Sequence, residues 1–190
     1  MRKYILGLFL LQTSCEGGAL VIEPTGEFTT QDILVVKNGF DIDIEQISYA
    51  VDLAIDLSSE VEAELDPNWN RKNILKALGD NMVVLSYQEG IIPCSGGNTC
   101  NGITTLFYKD NLLNETSCTV KSIRLTYDSC VARTALVHEL MHAFKCIIQP
   151  GRRKENHNHT DYLLWNAPDY STLGVESKLT PTLYSKYCSN

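Results

Sequence analysis

Residues 131–148 read VARTALVHELMHAFKCII, and this stretch decides the fold. It is almost continuously apolar and is followed by Pro150-Gly151, so we expect a buried helix that stops there. Inside it lie His138 and His142, with Glu139 between them. Residues four apart share one face of a helix, so both imidazoles can reach a single ion. The pattern H-E-x-x-H therefore predicts a zinc site that carries its own general base.

The burial of these side chains is itself an argument for a metal. Two histidines and a glutamate inside an apolar helix cost free energy unless something pairs with them, and a metal ion does so. The alternative is a metal-free pair of core histidines with hydrogen-bond partners. Zinc lowers the pKa of a bound water towards neutrality, and a nearby carboxylate can take the proton. We therefore expect Zn²⁺ as cofactor, His138 and His142 as ligands, and Glu139 as the catalytic residue.

A catalytic zinc usually takes three protein ligands and leaves the fourth position to water. The chain has four histidines, and the other two, His157 and His159, both follow the helix closely. The linker from Gln149 to Asn156 is polar and basic, and it is long enough to turn back towards the site. The sequence therefore confines the third ligand to the loop just after the helix.

The amino terminus reads as an export signal. Residues 1–3 are basic, and the apolar run 4–11 is too short to span a bilayer. The small residues before Cys15 resemble the lipobox of a bacterial lipoprotein, with Gln12 where a leucine is expected. We expect a signal peptide over residues 1–14, a lipidated and palmitoylated Cys15, and a tether over residues 15–30. Ordinary cleavage near Ser14 is the competing interpretation, and an uncleaved cytosolic start is the third.

The cysteine count also favours export. Seven cysteines occur, and setting Cys15 aside leaves six, enough for three disulfides in an oxidising compartment. Cys94 and Cys100 are spaced for a local clasp, and Cys188 would pin the end of the chain. Cys146 lies four residues beyond His142 and could line the metal site, but export favours a disulfide for it.

Length and charge limit the classes of partner. The chain has 190 residues and a formal net charge of −7; removal of Arg2 and Lys3 with the signal would leave 14 basic against 23 acidic residues, a net charge of −9. An acidic chain of this kind argues against a nucleic-acid partner. One domain, residues 31–190, accounts for the remaining length, and we expect a monomer held at the membrane through Cys15.

Hydrophobic periodicity predicts the order of the elements. The fold class we expect is α+β, in which an amphipathic backing helix and a small twisted mixed sheet pack on the buried helix and a short C-terminal subdomain follows. The predicted helices and strands are a strand at 33–37, a helix from 41 to about 65 with an acidic outer face, a helix at 71–78 capped by Gly79, and strands at 82–87, 104–108 and 122–127.

Residues His138 to Ala143 resemble the zincin superfamily of metallopeptidases, and the order of elements is similar to the upper half of that fold. The metzincin pattern is not met, because Ile148 stands where its third histidine is expected. The gluzincin pattern needs a downstream glutamate, for which Glu176 and Glu155 are the candidates. The spacing is most similar to SprT-like minimal zincins, in which a histidine follows the helix.

This resemblance implies a zinc site completed by that loop. His159 is the expected third ligand because an aromatic and apolar run follows it; His157, with the closer spacing, is the alternative. Asp161 would serve in an aspzincin-like arrangement. The implied function is an exported, lipid-anchored zinc metalloendopeptidase of the bacterial cell envelope that hydrolyses peptide bonds of a protein or peptide substrate with a zinc-bound water activated by Glu139.

Two other functions are compatible with the same residues. One is a non-catalytic zinc-binding lipoprotein that serves as a binding module of the envelope, which a fourth protein ligand would favour. The other is a zinc amidase that acts on cell-wall peptides. Nothing in the sequence distinguishes these substrates.

Overall fold

A computed structural model describes residues 27–63, 66–94, 98–111, 115–128, 130, 135–154 and 174–188. The expected signal peptide, Cys15, and the loop that contains His157, His159 and Asp161 lie outside the described residues. Within them the chain forms an α+β fold with a five-stranded mixed sheet, a two-stranded sheet and four α-helices. The predicted α+β class and the mixed sheet are confirmed.

The main sheet has the strand order β1-β2-β3-β7-β6. The pairs β2–β3 and β3–β7 are parallel, whereas β1–β2 and β7–β6 are antiparallel. The long β6–β7 hairpin has a bulge between Thr105 and Leu106. The strands of this sheet are β1 Glu27–Thr30, β2 Ile33–Val36, β3 Val84–Gln88, β6 Gly102–Asp110 and β7 Thr116–Thr126, and the small sheet pairs β4 Ile92–Pro93 with β5 Thr99–Cys100.

Two of the four helices, α1 (Ile44–Glu62) and α2 (Arg71–Asn81), begin where a polar side chain caps them. The Asp43 carboxylate accepts hydrogen bonds from the first backbone N–H groups of α1, and the Asn70 amide oxygen does the same for α2. Arg71, at the start of α2, forms ion pairs with Asp52 and Asp56 on α1, which joins the two helices. The helices are α1 Ile44–Glu62, α2 Arg71–Asn81, α3 Leu136–Ile148 and α4 Val175–Tyr187.

Helix α3 lies at the centre of the fold. It packs against β6 and β7 on one side and against α1, α2 and α4 on others. Apolar side chains therefore surround it, and most of its own residues are buried. The fully buried core residues include Val35, Leu85, Ile123 and Leu125 of the sheet, Val51, Ala54 and Ile55 of α1, Leu140, Met141 and Phe144 of α3, and Leu183 of α4.

Three disulfides link the six cysteines that were expected to pair. Cys94–Cys100 closes the short loop between β4 and β5, as the spacing suggested. Cys118–Cys146 joins β7 to the last turn of α3, and Cys130–Cys188 fixes the end of α4. The predicted disulfides are confirmed. Two of them hold helices in place: one joins β7 to α3, and one joins Cys130 to the end of α4.

Several predicted boundaries were wrong. Residues 27–30, placed in the tether, form β1, because they pair with β2. Gly79 does not end α2; the helix continues to Asn81, and Met82 ends it in the left-handed conformation. The predicted strands 104–108 and 122–127 were too short, because β6 and β7 stay paired as far as Asp110 and Thr116.

Helix α3 starts later than expected, and part of the expected short C-terminal subdomain is the helix α4, Val175–Tyr187, which was not predicted. Ala135 is left-handed, with φ of 56°, so the regular part of α3 begins at Leu136. Pro181 lies inside α4, whose buried residues Val175, Leu179 and Leu183 belong to the same core as the rest. None of the helices in the described ranges has the length and apolarity needed to cross a bilayer.

Candidate metal centre

Both histidines of the predicted motif project from α3 towards one point. Their Nε2 atoms are 3.2 Å apart, and the two rings are nearly perpendicular. Two nitrogens that bind one tetrahedral zinc at about 2.0–2.1 Å lie roughly 3.3–3.4 Å from each other. The separation of the imidazole nitrogens is therefore close to that of a ligand pair on one ion.

Glu176 of α4 fixes the ring of His138 from the other side. Its two carboxylate oxygens lie 3.1 and 3.2 Å from Nδ1 of His138. A carboxylate accepts hydrogen bonds, so Nδ1 is the protonated nitrogen and the lone pair of a neutral ring is on Nε2. This is the tautomer that a metal ligand needs, and carboxylates commonly orient ligand histidines in this way.

The position of Glu176 bears on the gluzincin alternative. Its carboxylate contacts Nδ1, whereas the ring nitrogen that faces His142 is Nε2. The two nitrogens lie on different sides of the imidazole, so in this arrangement Glu176 contacts the side of His138 that faces away from His142.

Burial and charge act in opposite directions on His138. Burial by itself lowers the pKa of His138, but the hydrogen bond and negative charge of Glu176, together with the charge of Glu139, outweigh it. The net pKa of the metal-free imidazole is therefore raised. Protons compete with metal ions for a histidine nitrogen, so a metal at this site would be held less tightly as the pH falls.

Glu139 is buried against strand β6. It is 5% exposed, and the Thr104 hydroxyl lies 2.5 Å from its Oε2 and 3.0 Å from its backbone carbonyl oxygen. Burial raises the pKa of the Glu139 carboxyl, while the hydrogen bond from Thr104 and the charge of His138 lower it in part; the net pKa is raised. A carboxylate with a raised pKa accepts a proton more readily, which suits a general base.

Gly102 on β6 makes room for Glu139. A Cβ atom added at Gly102 would lie 2.8 Å from Cγ and 2.9 Å from Oε1 of Glu139, and 2.9 Å from Cδ2 of Leu125. These distances are shorter than carbon contacts in real structures, so any side chain at residue 102 would displace its neighbours.

The structure brings together some of the predicted site residues and removes one alternative. His138, Glu139 and His142 are adjacent on α3, as expected of the motif. Cys146 is in a disulfide with Cys118, so its thiolate does not line a metal site. The expected third ligand, His159, lies outside the described residues, as do His157 and Asp161. Within the described ranges no group of three or more His, Cys, Asp or Glu residues is arranged to hold a metal.

Three contacts of the site were missed at the level of sequence. Thr104 was predicted to start a strand, but nothing in its neighbourhood linked it to Glu139. Gly102 carried no signal, because a glycine before a strand is usually a turn residue. Glu176 was considered only as a ligand. All three are contacts between residues at least 35 positions apart in the chain, which periodicity does not reveal.

Comparison of the chain with family models, with characterised proteins and with solved structures gives no significant match.

Proposed function

We propose that this protein is a zinc-dependent metalloendopeptidase. The observation that carries the proposal is the pair of Nε2 atoms, 3.2 Å apart, beside the buried carboxyl group of Glu139. Two converging imidazoles and an adjacent base are the parts that hydrolysis of an amide at a zinc site requires.

The residues fit the metal by their chemistry. Nδ1 of His138 donates to Glu176, so Nε2 presents a lone pair towards Nε2 of His142. Either a hydrogen or a cation must lie between these two nitrogens, because two lone pairs repel each other. His138 and His142 would hold zinc, with His159, or alternatively His157, as the third ligand. When bound, zinc supplies Lewis acidity that activates water and polarises the substrate carbonyl.

Glu139 performs the proton transfers. Its carboxylate takes a proton from the attacking water and delivers it to the nitrogen of the leaving amine. A raised pKa supports both steps, since the group must accept the proton and then release it. Thr104 holds the carboxyl group from the side of the sheet.

Strand β6 supplies a place for an extended substrate. Among the described strands β6 is the last of the main sheet and has a neighbour only in β7. A peptide that adds to the other edge of β6 by main-chain hydrogen bonds passes the segment that contacts Glu139. Recognition through the backbone favours cleavage within a chain, and it leaves the side-chain preference open to many sequences.

Export and a lipid anchor at Cys15 belong to the same proposal. The three disulfides support an oxidising compartment, because such bonds are rare in reducing cytosol. The protein would then act at the bacterial cell envelope, on a protein or peptide substrate, and a cell-wall peptide is a member of the same substrate class.

The experiment is a zinc titration combined with a protease assay. We expect the purified protein to bind one zinc per chain and to cleave an unfolded protein, and a chelator to abolish the cleavage. His142→Ala should lose zinc and activity together. Glu139→Gln should keep zinc and lose hydrolysis, because only the base is removed.

Three outcomes would contradict the proposal. A wild-type protein that binds no zinc would mean that a hydrogen joins the two histidines, as in a metal-free core pair. A Glu139→Gln variant that cleaves at the wild-type rate would exclude the mechanism. A protein that binds zinc through four protein ligands and cleaves nothing would instead be the non-catalytic binding module.

A further inference from the structure

We infer that residues 102 to 104 of β6 position the carboxyl group of Glu139 for catalysis. Thr104 donates a hydrogen bond to this group, and Gly102, which has no side chain, leaves room for it. This inference rests on the proposed function. It concerns two residues outside the helix that contains the motif, and it makes Gly102 and Thr104 of β6 part of the catalytic apparatus.

Thr104 holds Glu139 at two points. Its hydroxyl is within hydrogen-bond distance of the side-chain Oε2, at 2.5 Å, and of the backbone oxygen, at 3.0 Å. A hydroxyl has one hydrogen, so it donates to one of these oxygens at a time. Both contacts are to the same residue, and together they relate the position of the carboxyl group to that of the helix backbone.

Gly102 has no side chain that would collide with the carboxyl group of Glu139. An added Cβ would come within 2.8 Å of Cγ and 2.9 Å of Oε1 of Glu139. The φ angle of Gly102 is outside the left-handed region that favours glycine, since only Gly39 and Gly90 have positive φ among the glycines described. The absence of a side chain therefore serves close approach and not backbone conformation.

The register of the hairpin explains why these two residues act together. Gly102 pairs with Leu125 and Thr104 pairs with Ile123 on β7, and both partners are buried. Alternate residues of a strand face the same side of a sheet, so positions 102 and 104 both face α3. The bulge follows at Thr105 and Leu106, beyond the part of β6 that contacts Glu139.

A carboxyl group held in this way has little freedom. Glu139 is 5% exposed, so little bulk water reaches its carboxyl group. Effective proton transfer needs the base within hydrogen-bond distance of the proton that it removes. A group that fixes the base should therefore change the rate of the chemical step and leave substrate binding nearly unchanged.

The test compares variants of one strand. Thr104→Val removes the hydroxyl and keeps the shape, Thr104→Ser keeps the hydroxyl, and Thr105→Val makes the same chemical change at an exposed neighbour. We expect Thr104→Val to lower kcat by about 10–100-fold with KM little changed and one zinc still bound. Thr104→Ser should recover most of kcat, and Thr105→Val should behave as wild type.

Gly102→Ala tests the same inference in a second way, because it adds a methyl group and removes no hydrogen-bond donor or acceptor. It should lower kcat while zinc stays bound, because the new methyl group displaces the carboxyl group of Glu139. The inference is overturned if Thr104→Val and Gly102→Ala both retain the wild-type kcat. It is also overturned if Thr105→Val loses as much, or if serine at residue 104 fails to recover activity, since either result indicates a general effect on the sheet.

A readout that needs no activity separates this inference from the proposed function. With glutamate labelled at the carboxyl carbon, the NMR signal of Glu139 is identified by its disappearance in Glu139→Gln. The signal should move in Thr104→Val and Gly102→Ala but not in Thr105→Val, and an unmoved signal refutes the contact. If the wild type binds zinc and hydrolyses nothing, the proposed function fails, and the role in catalysis fails with it.

Discussion

Replacing Glu176 tests how the metal site is oriented. Both of its carboxylate oxygens lie close to Nδ1 of His138, at 3.1 and 3.2 Å, and the side chain is 20% exposed. The carboxylate fixes the tautomer and the ring, and it increases the basicity of Nε2. We therefore expect weaker zinc binding in its absence, although Glu176 contacts Nδ1 of His138 and not the nitrogen that faces His142.

The expected size follows from the type of contact. Partners that orient a ligand histidine are typically worth 10–100-fold in metal affinity, which is about 1.4–2.7 kcal/mol. Glu176→Gln keeps an oxygen that can accept from Nδ1 but loses the charge, so its loss should be near 10-fold. Glu176→Ala removes the acceptor and should lose about 100-fold.

The assay is competition for zinc with a chelating dye at fixed pH and ionic strength. Glu60→Gln is the matched control, because Glu60 is an exposed glutamate of α1 and the change in net charge is the same. Wild-type affinity in both Glu176 variants would refute the orientation argument. A loss far beyond 100-fold in Glu176→Gln would show that Glu176 is a ligand, as in the gluzincin pattern.

Three further predictions concern stability. Because burial raises the pKa of Glu139, its negative charge destabilises the metal-free fold at pH values above that raised pKa. Glu139→Gln should therefore increase the thermal stability of the metal-free protein at neutral pH. Calorimetry should show this gain disappear as the pH falls below 4.5, the ordinary pKa of a glutamate. Cys118→Ala with Cys146→Ala opens a bond that spans 28 residues, and it should cost about 3.6 kcal/mol of unfolding free energy in urea titrations, against about 2.2 kcal/mol for Cys94→Ala with Cys100→Ala, which spans 6. Equal losses would show that loop length does not decide the cost here. Phe144→Ala removes a fully buried ring of α3 and should cost about 3–5 kcal/mol in the same titrations, so a loss below 1 kcal/mol would mean that this part of the core is loosely packed.

Sequence reasoning succeeded where the signal was local. The spacing of His138 and His142, the apolar residues around them, and the short Cys94–Cys100 loop each depend on neighbours along the chain, and the structure agrees with all three. The predicted boundaries of helices and strands were wrong where a residue distant in the sequence determines the structure. β1 is a strand because β2 pairs with it, and nothing in Glu27–Thr30 alone distinguishes it from a tether.

The contacts that fix the side chains of the candidate site all come from residues that are distant in the sequence. A helix can place two imidazoles and a carboxylate in one neighbourhood from its own geometry, but it cannot choose the tautomer of His138 or fix the carboxyl group of Glu139. α4 does the first through Glu176, and β6 does the second through Thr104 and Gly102.

Two disulfides restrict the helices that carry His138 and Glu176. One of them joins Cys130 to Cys188, the residue that follows α4. It therefore restricts the helix that orients His138, and the bond from Cys118 to Cys146 restricts the helix that contains it. Two of the three disulfides thus restrict α3 and α4, the two helices whose relative position sets the contact between His138 and Glu176.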